Sequence, residues 1–447
     1  IVNLTLDSRA TKHDNAFCKE MYSGLASIIL RLYDLAYIER WNDHPRPFNI
    51  SELDKQAHKA AIAYVIGRFE ESFRDRKVDW LYLIEGLIFE ALQRAVLTDI
   101  KPQVFHRITK ERSKEINKFV FDKVGEDLRA FDRELYRRFV TYFEALDEPR
   151  EKVLAKRIIK AAHFLATYWE FNMIYSVGIR FYGIEKVKEG IEDTIEDFFD
   201  LVGVERIYLR KKTFNFVDLV GQLRFQKRWI LSPRIPATTV LGHVFIVAAL
   251  SYLLSLKLNA CPRRKFLNFF TGLFHDLPEV TTRDVISPVK KQAGISSVLK
   301  KYEKQQVEEV ILPLLPEFLR QEFAYMLGFL ELTGLPVKLS RAEEAKEGSS
   351  DEFSNRIIHK GRIELIDGEI KEEFNTDEMH PIDGGLIKAS DVLGTYTEAA
   401  LSLHHGIRSK NLKSAKNDLN KELRSKSYRG IDFGQLVEQI NERLKES

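Results

Sequence analysis

Apolar residues return every third or fourth position through most of this chain, and that period dictates helices. AHKAAIAYVIGRFEESF (57–73) and KYEKQQVEEVILPLLPEFLRQEFAYML (301–327) hold it over several turns. A 3.6-residue repeat places such positions on one buried face. The alternation that makes strands is scarce, so the sequence predicts a mainly α protein. One region departs: 334–386 is polar and rich in turn residues. It reads as a surface insertion, with a β-hairpin around RIELIDGEI (362–370).

The bulk properties narrow the class. At 447 residues the chain has room for two or three domains, and 44% hydrophobic with 30% charged residues is the balance of a soluble globular protein. Acids and bases are mixed and the net charge is +3, which gives no field for gripping a nucleic-acid polymer. Cys18 and Cys261 lie far apart in no ligand spacing and read as reduced thiols of a cytoplasmic protein. The start, IVNLTLDSRATKHDN, lacks the basic end and apolar core of a secretion signal. The longest apolar run, VLGHVFIVAALSYLLSL (240–256), has 17 residues and includes His243. It is read as a buried core helix, with no membrane as partner.

The chain also resembles itself. IKAAHFLATYWE (159–170) matches IKASDVLGTYTE (387–398) at 7 of 12 positions, and GIR at 178–180 falls on GIR at 406–408 in the same register. His58 and Asp99 are 41 residues apart, as are His243 and Asp284, which lays AHKAAIAYVI over GHVFIVAALS. An Arg-Trp pair precedes each copy, Arg40-Trp41 and Arg228-Trp229. The landmarks keep one order, so a tandem duplication is expected, with units at 1–205 and 206–447. The second unit is longer between Asp276 and Asp391, where the insertion of about 334–386 lies.

GLFHDLPEVTTRDVISPVK (272–290) sets His275, Asp276, Glu279 and Asp284 at the end of an apolar run. Burial penalises the charged forms of such groups unless something compensates. With His243 and Asp391 they offer imidazole and carboxylate donors, a set suited to one divalent transition metal (Mn, Co, Fe, Ni or Zn) in preference to Mg or Ca. Four ligands, His243, His275, Asp276 and Asp391, leave positions for water and a substrate oxygen, as metal-assisted hydrolysis requires. Glu279, close by without being a ligand, is the candidate proton carrier. Asp284 follows on a loop within reach of a substrate, with Lys290 behind it. Each residue has a plainer reading as well. A lone histidine in an apolar helix is commonly a satisfied core residue, adjacent His-Asp arises by chance, and Asp391 suits a helix cap. Spacing alone leaves both readings open.

In the order His, His-Asp, distant Asp, these residues resemble the HD-domain metal-dependent phosphohydrolases, an all-helical superfamily. The narrower pattern is RW at 228–229, His243 fifteen residues on, then HDLPEVTTRDVISPVK. It is similar to the bacterial 5′-deoxynucleotidase branch over roughly 215–410. The resemblance implies a small-molecule nucleotide substrate and removal of the 5′-phosphate from (deoxy)ribonucleoside monophosphates. It implies His243, His275, Asp276 and Asp391 as metal ligands, Glu279 as catalytic and Asp284 at the sugar end. Arg228 and Trp229 would line the pocket, Arg228 facing the phosphate, with Lys290 also on the substrate side. The architecture implied is two tandem HD-type helical domains, the second with a polar, partly β insertion. Two features depart from the family: Gly242 stands where a glutamate is usual, and the insertion has the length to lid the pocket. Two alternatives share the superfamily, a dNTP triphosphohydrolase and a cyclic-nucleotide phosphodiesterase. A third is a nucleotide-binding regulatory protein without turnover.

In the same frame the first copy keeps His58 but carries Glu90 for His275, Ala91 for Asp276, Arg94 for Glu279 and His163 for Asp391. Losing an acid and gaining a cation weakens cation binding, so this copy is expected to be degenerate. A rewired His58, Glu90, His163 metal site is the alternative. Members of the branch tend to pair, so a monomer with an internal pseudo-dimer, or a homodimer, is expected.

Overall fold

The computed structural model describes residues 4–100, 102–145, 147–283, 295–339, 353–425, 427–428 and 430–446. The chain is mainly α. Its first part runs α1 (Leu4–Asp34), α2 (Glu52–Arg74), α3 (Trp80–Leu97), α4 (Pro102–Phe131), α5 (Arg133–Glu144), α6 (Arg150–Gly178) and α7 (Ile184–Glu196). Short helices α8 (Val202–Tyr208) and α9 (Lys212–Gln222) lead into α10 (Val240–Lys257), α11 (Pro262–Phe274) and the single turn α12 (Glu279–Thr282). Then come α13 (Ser296–Gln306), α14 (Glu317–Leu327), α15 (Gly384–His404), α16 (Lys410–Ser425) and α17 (Phe433–Glu446).

Helices α2 and α10 begin alike. Ser51 Oγ accepts the Asp54 amide and Thr239 Oγ1 accepts the Gly242 amide, each at 3.1 Å, so both helices are capped by a hydroxyl. Each cap is half of an antiparallel bridge, Glu39 with Ser51 and Lys227 with Thr239. In each lead-in the tryptophan of the Arg-Trp pair takes a positive φ, 57° at Trp41 and 60° at Trp229, a conformation a bulky residue adopts only when its surroundings hold it there.

By length and apolarity α10 passes as a membrane span, but it is buried in the protein, with α2, α11 and α15 around it. A helix covered on every side needs no polar face. Gly272 lets α11 close on it: a Cβ there would sit 3.0 Å from Ala248 Cα. At the crossing with α2, a Cβ on Gly242 would fall 2.9 Å from Asp54 Oδ1, which accepts Thr239 Oγ1 at 2.5 Å. The contact explains why a large acid does not stand at 242. One apolar core runs through both parts of the chain. Polar contacts cross it: Tyr64 to Glu322 at 2.7 Å, Tyr252 to Glu85 at 2.8 Å, and Tyr33 to the Gly394 carbonyl at 2.8 Å. The expected division at 205/206 falls inside α8.

Within the insertion, β2 (Asn355–His359) and β3 (Arg362–Ile366) form an antiparallel hairpin, and β1 (Val337–Lys338) lies parallel on the other side of β3. RIELI is thus a strand, but it pairs with residues before it, through Lys360-Gly361, and not across Asp367-Gly368. Arg356 supplies the reason. Fully buried, it donates to the carbonyls of Tyr325 (3.1 Å), Met326 (3.0 Å) and Ser354 (2.8 Å), which pins β2 to α14. A small ribbon, β4 (Ser427–Tyr428) with β5 (Ile431–Asp432), joins α16 to α17.

Candidate metal centre

Three helices of the second part converge near the start of α10. His243 lies one turn inside the Thr239 cap, His275 and Asp276 follow the last turn of α11, and Asp391 lies in the second turn of α15. Potential ligand atoms of His243, His275 and Asp276 all lie within 4.8 Å of one another. Asp391 Oδ1 is 3.0 Å from His243 Nε2. Three of the four candidate ligands thus form one group, and Asp391 adjoins it through His243. The His243 side chain is fully buried, whereas Asp276 and Asp391 are 19% and 16% exposed, so the centre opens on its carboxylate side.

His275 Nδ1 is 2.8 Å from the Gly272 carbonyl, which places the proton on Nδ1 and turns Nε2 inward, 3.3 Å from Asp276 Oδ1. That Nε2 is buried and has no hydrogen-bond partner among the described residues. A buried, orphaned imidazole nitrogen beside carboxylates is a donor that a divalent cation would satisfy, so the residues fit one. Burial opposes charge on His275, but Asp276 foremost, with Asp391 and the Gly272 carbonyl, holds its pKa up at about 9. Burial would likewise raise Asp276, yet His275 keeps it down at about 2. Against the same penalty, Lys388, His243 and His275 keep Asp391 well below the usual carboxylate range.

Two residues that sequence reasoning missed complete the surroundings. Glu398 lies two turns beyond Asp391 and is buried. It accepts Arg228 Nε at 3.1 Å, Trp229 Nε1 at 2.8 Å, Arg234 Nη1 at 2.6 Å and Thr238 Oγ1 at 2.8 Å. Its Oε1 is 3.3 Å from His243 Nδ1, so it faces the imidazole nitrogen turned away from Asp391. Burial works against its charge, but Arg234 and Arg228 hold it well below the normal range. Its signal was present, since the twelve-residue self-match ends on this glutamate. Lys388 is the second: its Nζ is 2.8 Å from Asp391 Oδ2 and 4.6 Å from the Phe353 ring centre.

Arg228 donates from Nη2 to Thr395 Oγ1 at 2.9 Å, while its Nη1 stands 3.9 Å from Asp276 Oδ2 at the rim. Trp229 directs its indole N–H into Glu398, leaving the ring faces to its surroundings. Glu279 is buried and opens α12, because Pro278 ends the preceding turn and the chain restarts there. Its amide closes onto the Asp276 carbonyl at 3.0 Å. Phe353, from within the insertion, lies 5.9 Å from the His275 ring and walls that side. Asp284 and Lys290 lie outside the described residues.

The first part repeats the same bracing. Trp41 Nε1 donates to Glu170 at 3.0 Å and Arg40 Nε donates to it at 2.8 Å, as Trp229 and Arg228 do to Glu398. His58, however, is not the counterpart of His243. Counted from the cap, His243 is the fourth residue after Thr239, and the fourth after Ser51 is Lys55. Lys55 Nζ donates to His163 Nδ1 at 2.6 Å, in the place of the His243–Asp391 pair. His58 turns elsewhere: its Nε2 donates to the Val217 carbonyl at 2.9 Å and its Nδ1 accepts Arg224 at 3.2 Å. Burial and Arg224 push it down to about 3. Glu90 is engaged by Lys59 at 3.1 Å and Tyr142 at 2.7 Å. His58, Glu90 and His163 do not meet, so the rewired three-residue site is not formed. The equal 41-residue spacings set the two helices three residues out of register.

Comparison with known proteins follows the same geography. Residues 220–420 match the family model for the HD domain, a window that holds Arg228, Trp229, His243, His275, Asp276, Glu279, Asp391 and Glu398. The 4′-phosphooxetanocin A phosphatase of Priestia megaterium is 28% identical over 119 residues, 26% of this chain. The aligned stretch spans 60% of that relative's length.

Proposed function

We propose, from the match of residues 220–420 to the HD-domain family model, that the chain is a metal-dependent phosphohydrolase removing the 5′-phosphate from nucleoside monophosphates, deoxyribonucleotides included. One observation carries the reading. The inward Nε2 of His275 groups with His243 and Asp276, Asp391 adjoins them through His243, and the Arg228 guanidinium lies at the open side, 3.9 Å from Asp276. In this proposal His243, His275, Asp276 and Asp391 hold one divalent transition ion through nitrogen and oxygen donors. When bound, the ion supplies Lewis acidity toward a phosphoryl oxygen and lowers the pKa of water.

The chain's own residues supply the rest. Arg228, braced by Glu398 and Thr395, turns its Nη1 edge to the phosphate at the rim, a charge-assisted contact that orients the substrate. Glu279 carries a proton between the attacking water and the departing 5′-oxygen. Trp229 and Phe353 supply apolar walls that keep bulk water from the phosphate. Asp284 is assigned to the sugar end and Lys290 to the substrate side on their place in the motif. The Priestia megaterium relative is a phosphatase by name, which favours a phosphomonoester over triphosphate release or the opening of a cyclic nucleotide.

The test is phosphate release from a panel of ribo- and deoxyribonucleoside monophosphates, dNTPs and cyclic nucleotides. Protein stripped of metal is reloaded with Mn²⁺, Co²⁺ or Zn²⁺, and Asp276→Ala serves as control. Release from monophosphates that is absent in the control is the expected result. Release confined to dNTPs or cyclic nucleotides would replace the substrate assignment. A Glu279→Ala variant should keep its ion and lose turnover; equal turnover would remove Glu279 from the reaction.

A further inference from the structure

We infer that the Lys55 side-chain nitrogen stands in the first part where the metal ion stands in the second, so that the counterpart centre there is closed by an amine and takes no cation. The inference rests on the metal assignment above for what is being replaced. Its own support is the paired geometry. Measured from the two hydroxyl caps, Lys55 and His243 occupy one register. His163 precedes Glu170 by seven residues, as Asp391 precedes Glu398. Each glutamate accepts its tryptophan and arginine in the same way. Each arginine also reaches the threonine one turn before that glutamate, Arg40 to Thr167 at 3.5 Å and Arg228 to Thr395 at 2.9 Å.

Within this shared frame the ligand pair becomes a donor and its acceptor. A lysine offers only N–H groups, so it cannot ligate an ion while protonated, but it can meet the groups an ion would have met. The Lys55 side chain is 1% exposed, and its Nζ lies 2.6 Å from His163 Nδ1 and 3.7 Å from Glu52 Oε1. The other acids are also matched by cations. Glu52 takes Arg40 at 2.8 Å and Arg94 at 3.6 Å, Glu90 takes Lys59 at 3.1 Å, and Asp99 takes Arg94 at 3.5 Å. Acceptors and cations therefore balance without an ion, which suits a centre that is permanently closed. The second part offers the contrast, with its inward His275 nitrogen left for a partner.

The test has two arms on the full chain. In the first, wild type and the His243→Ala/Asp276→Ala double variant are stripped, reloaded with Co²⁺ and assayed for bound metal. One equivalent in wild type and none in the double variant is expected; an equivalent retained by the double variant would overturn the inference. The second arm needs no metal. Lys55→Ala should melt below wild type, and n-propylammonium, which restores the missing nitrogen, should raise its melting temperature while leaving wild type unmoved. Lys55→Met, of similar length but without the N–H groups, should melt low and not respond. A Lys55→Met protein as stable as wild type, or a Lys55→Ala protein indifferent to n-propylammonium, would overturn it. Wild type that takes up no Co²⁺ would sink the phosphohydrolase reading, and the Lys55 arm would still decide this one.

Discussion

Glu398 accepts two guanidinium groups and an indole N–H while facing the outer nitrogen of His243 at 3.3 Å. Glu398→Gln keeps the shape and removes the charge that orients them. Metal affinity should fall about 10–100-fold, the usual cost of losing the group behind a ligand histidine, read by competition with a chelating dye. The protonation of the centre gives a second prediction. His275 rises from 6.5 to about 9 beside its carboxylates, and Asp276 falls from 3.8 to about 2. In protein stripped of metal, the His275 contribution to stability is complete below pH 6.5 and is lost as pH climbs to about 9. The Asp276 contribution is complete above pH 3.8 and is lost as pH falls toward 2. Melting temperature should therefore decline between pH 6.5 and 9. A bound cation displaces the His275 proton, so metal affinity should rise over that interval and binding should release protons. Calorimetry in buffers of different ionisation enthalpy would detect the release; none released would contradict the proton placement. At this scale the candidate cluster was legible because His275, Asp276 and Glu279, groups of unlike chemistry, sit close together in the sequence. Glu398 was not, because a glutamate inside an amphipathic helix reads as surface until the residues that bury it are known.

Helix α10 shows how an element is fixed from outside. Its cap, Thr239, donates to Asp54 of α2 at 2.5 Å, and Gly242 has no space for a side chain against that carboxylate. Gly242→Ala should destabilise the protein by about 1–3 kcal/mol, the range for overpacking a closed contact, followed by denaturant unfolding. Adding Asp54→Ala should recover part of the loss, because the two changes share one contact. If the two costs simply add, the crossing is looser than the geometry indicates. Helices were legible from their period, and α10 was identified as buried from its apolarity on all faces. What failed was register. His58 drew the eye as a histidine in a matching helix, while the Ser51 and Thr239 caps carried the true frame and set Lys55 in its place. The hairpin expected around RIELIDGEI is present, but its turn is Lys360-Gly361 and not Asp367-Gly368, because Arg356 fixes β2 beside β3 through contacts distant in sequence.

Across the whole molecule, the two parts share one core, and the second part's α10 takes cover from α2. A fragment of residues 206–447 would expose that apolar face. It should aggregate or fail to hold metal, which solubility and bound-metal assays would show; a soluble, fully active fragment would mean that the first part is dispensable. We propose that the first part occupies the place a second subunit would take, which makes one reaction centre per chain the expected stoichiometry. The likeness behind this proposal was legible in the sequence, since the residues shared by 159–170 and 387–398 fall on α6 and α15. Its physical content was not, because the sequence gives no distance between the copies.

The two ends of the chain meet: α1 lies along α17, with the Tyr22 hydroxyl accepting the Asp432 amide and Arg443 donating to Ser23 at 3.1 Å. The same first helix reaches the metal-side helix through Tyr33 and the Gly394 carbonyl at 2.8 Å. A ribosome makes α1 long before α17. Until α17 has emerged, α1 has no lasting cover for the face that α17 buries, and the contacts of Tyr22 and Ser23 with it cannot form. The earlier helix therefore waits, exposed on that side, through the synthesis of everything between the two.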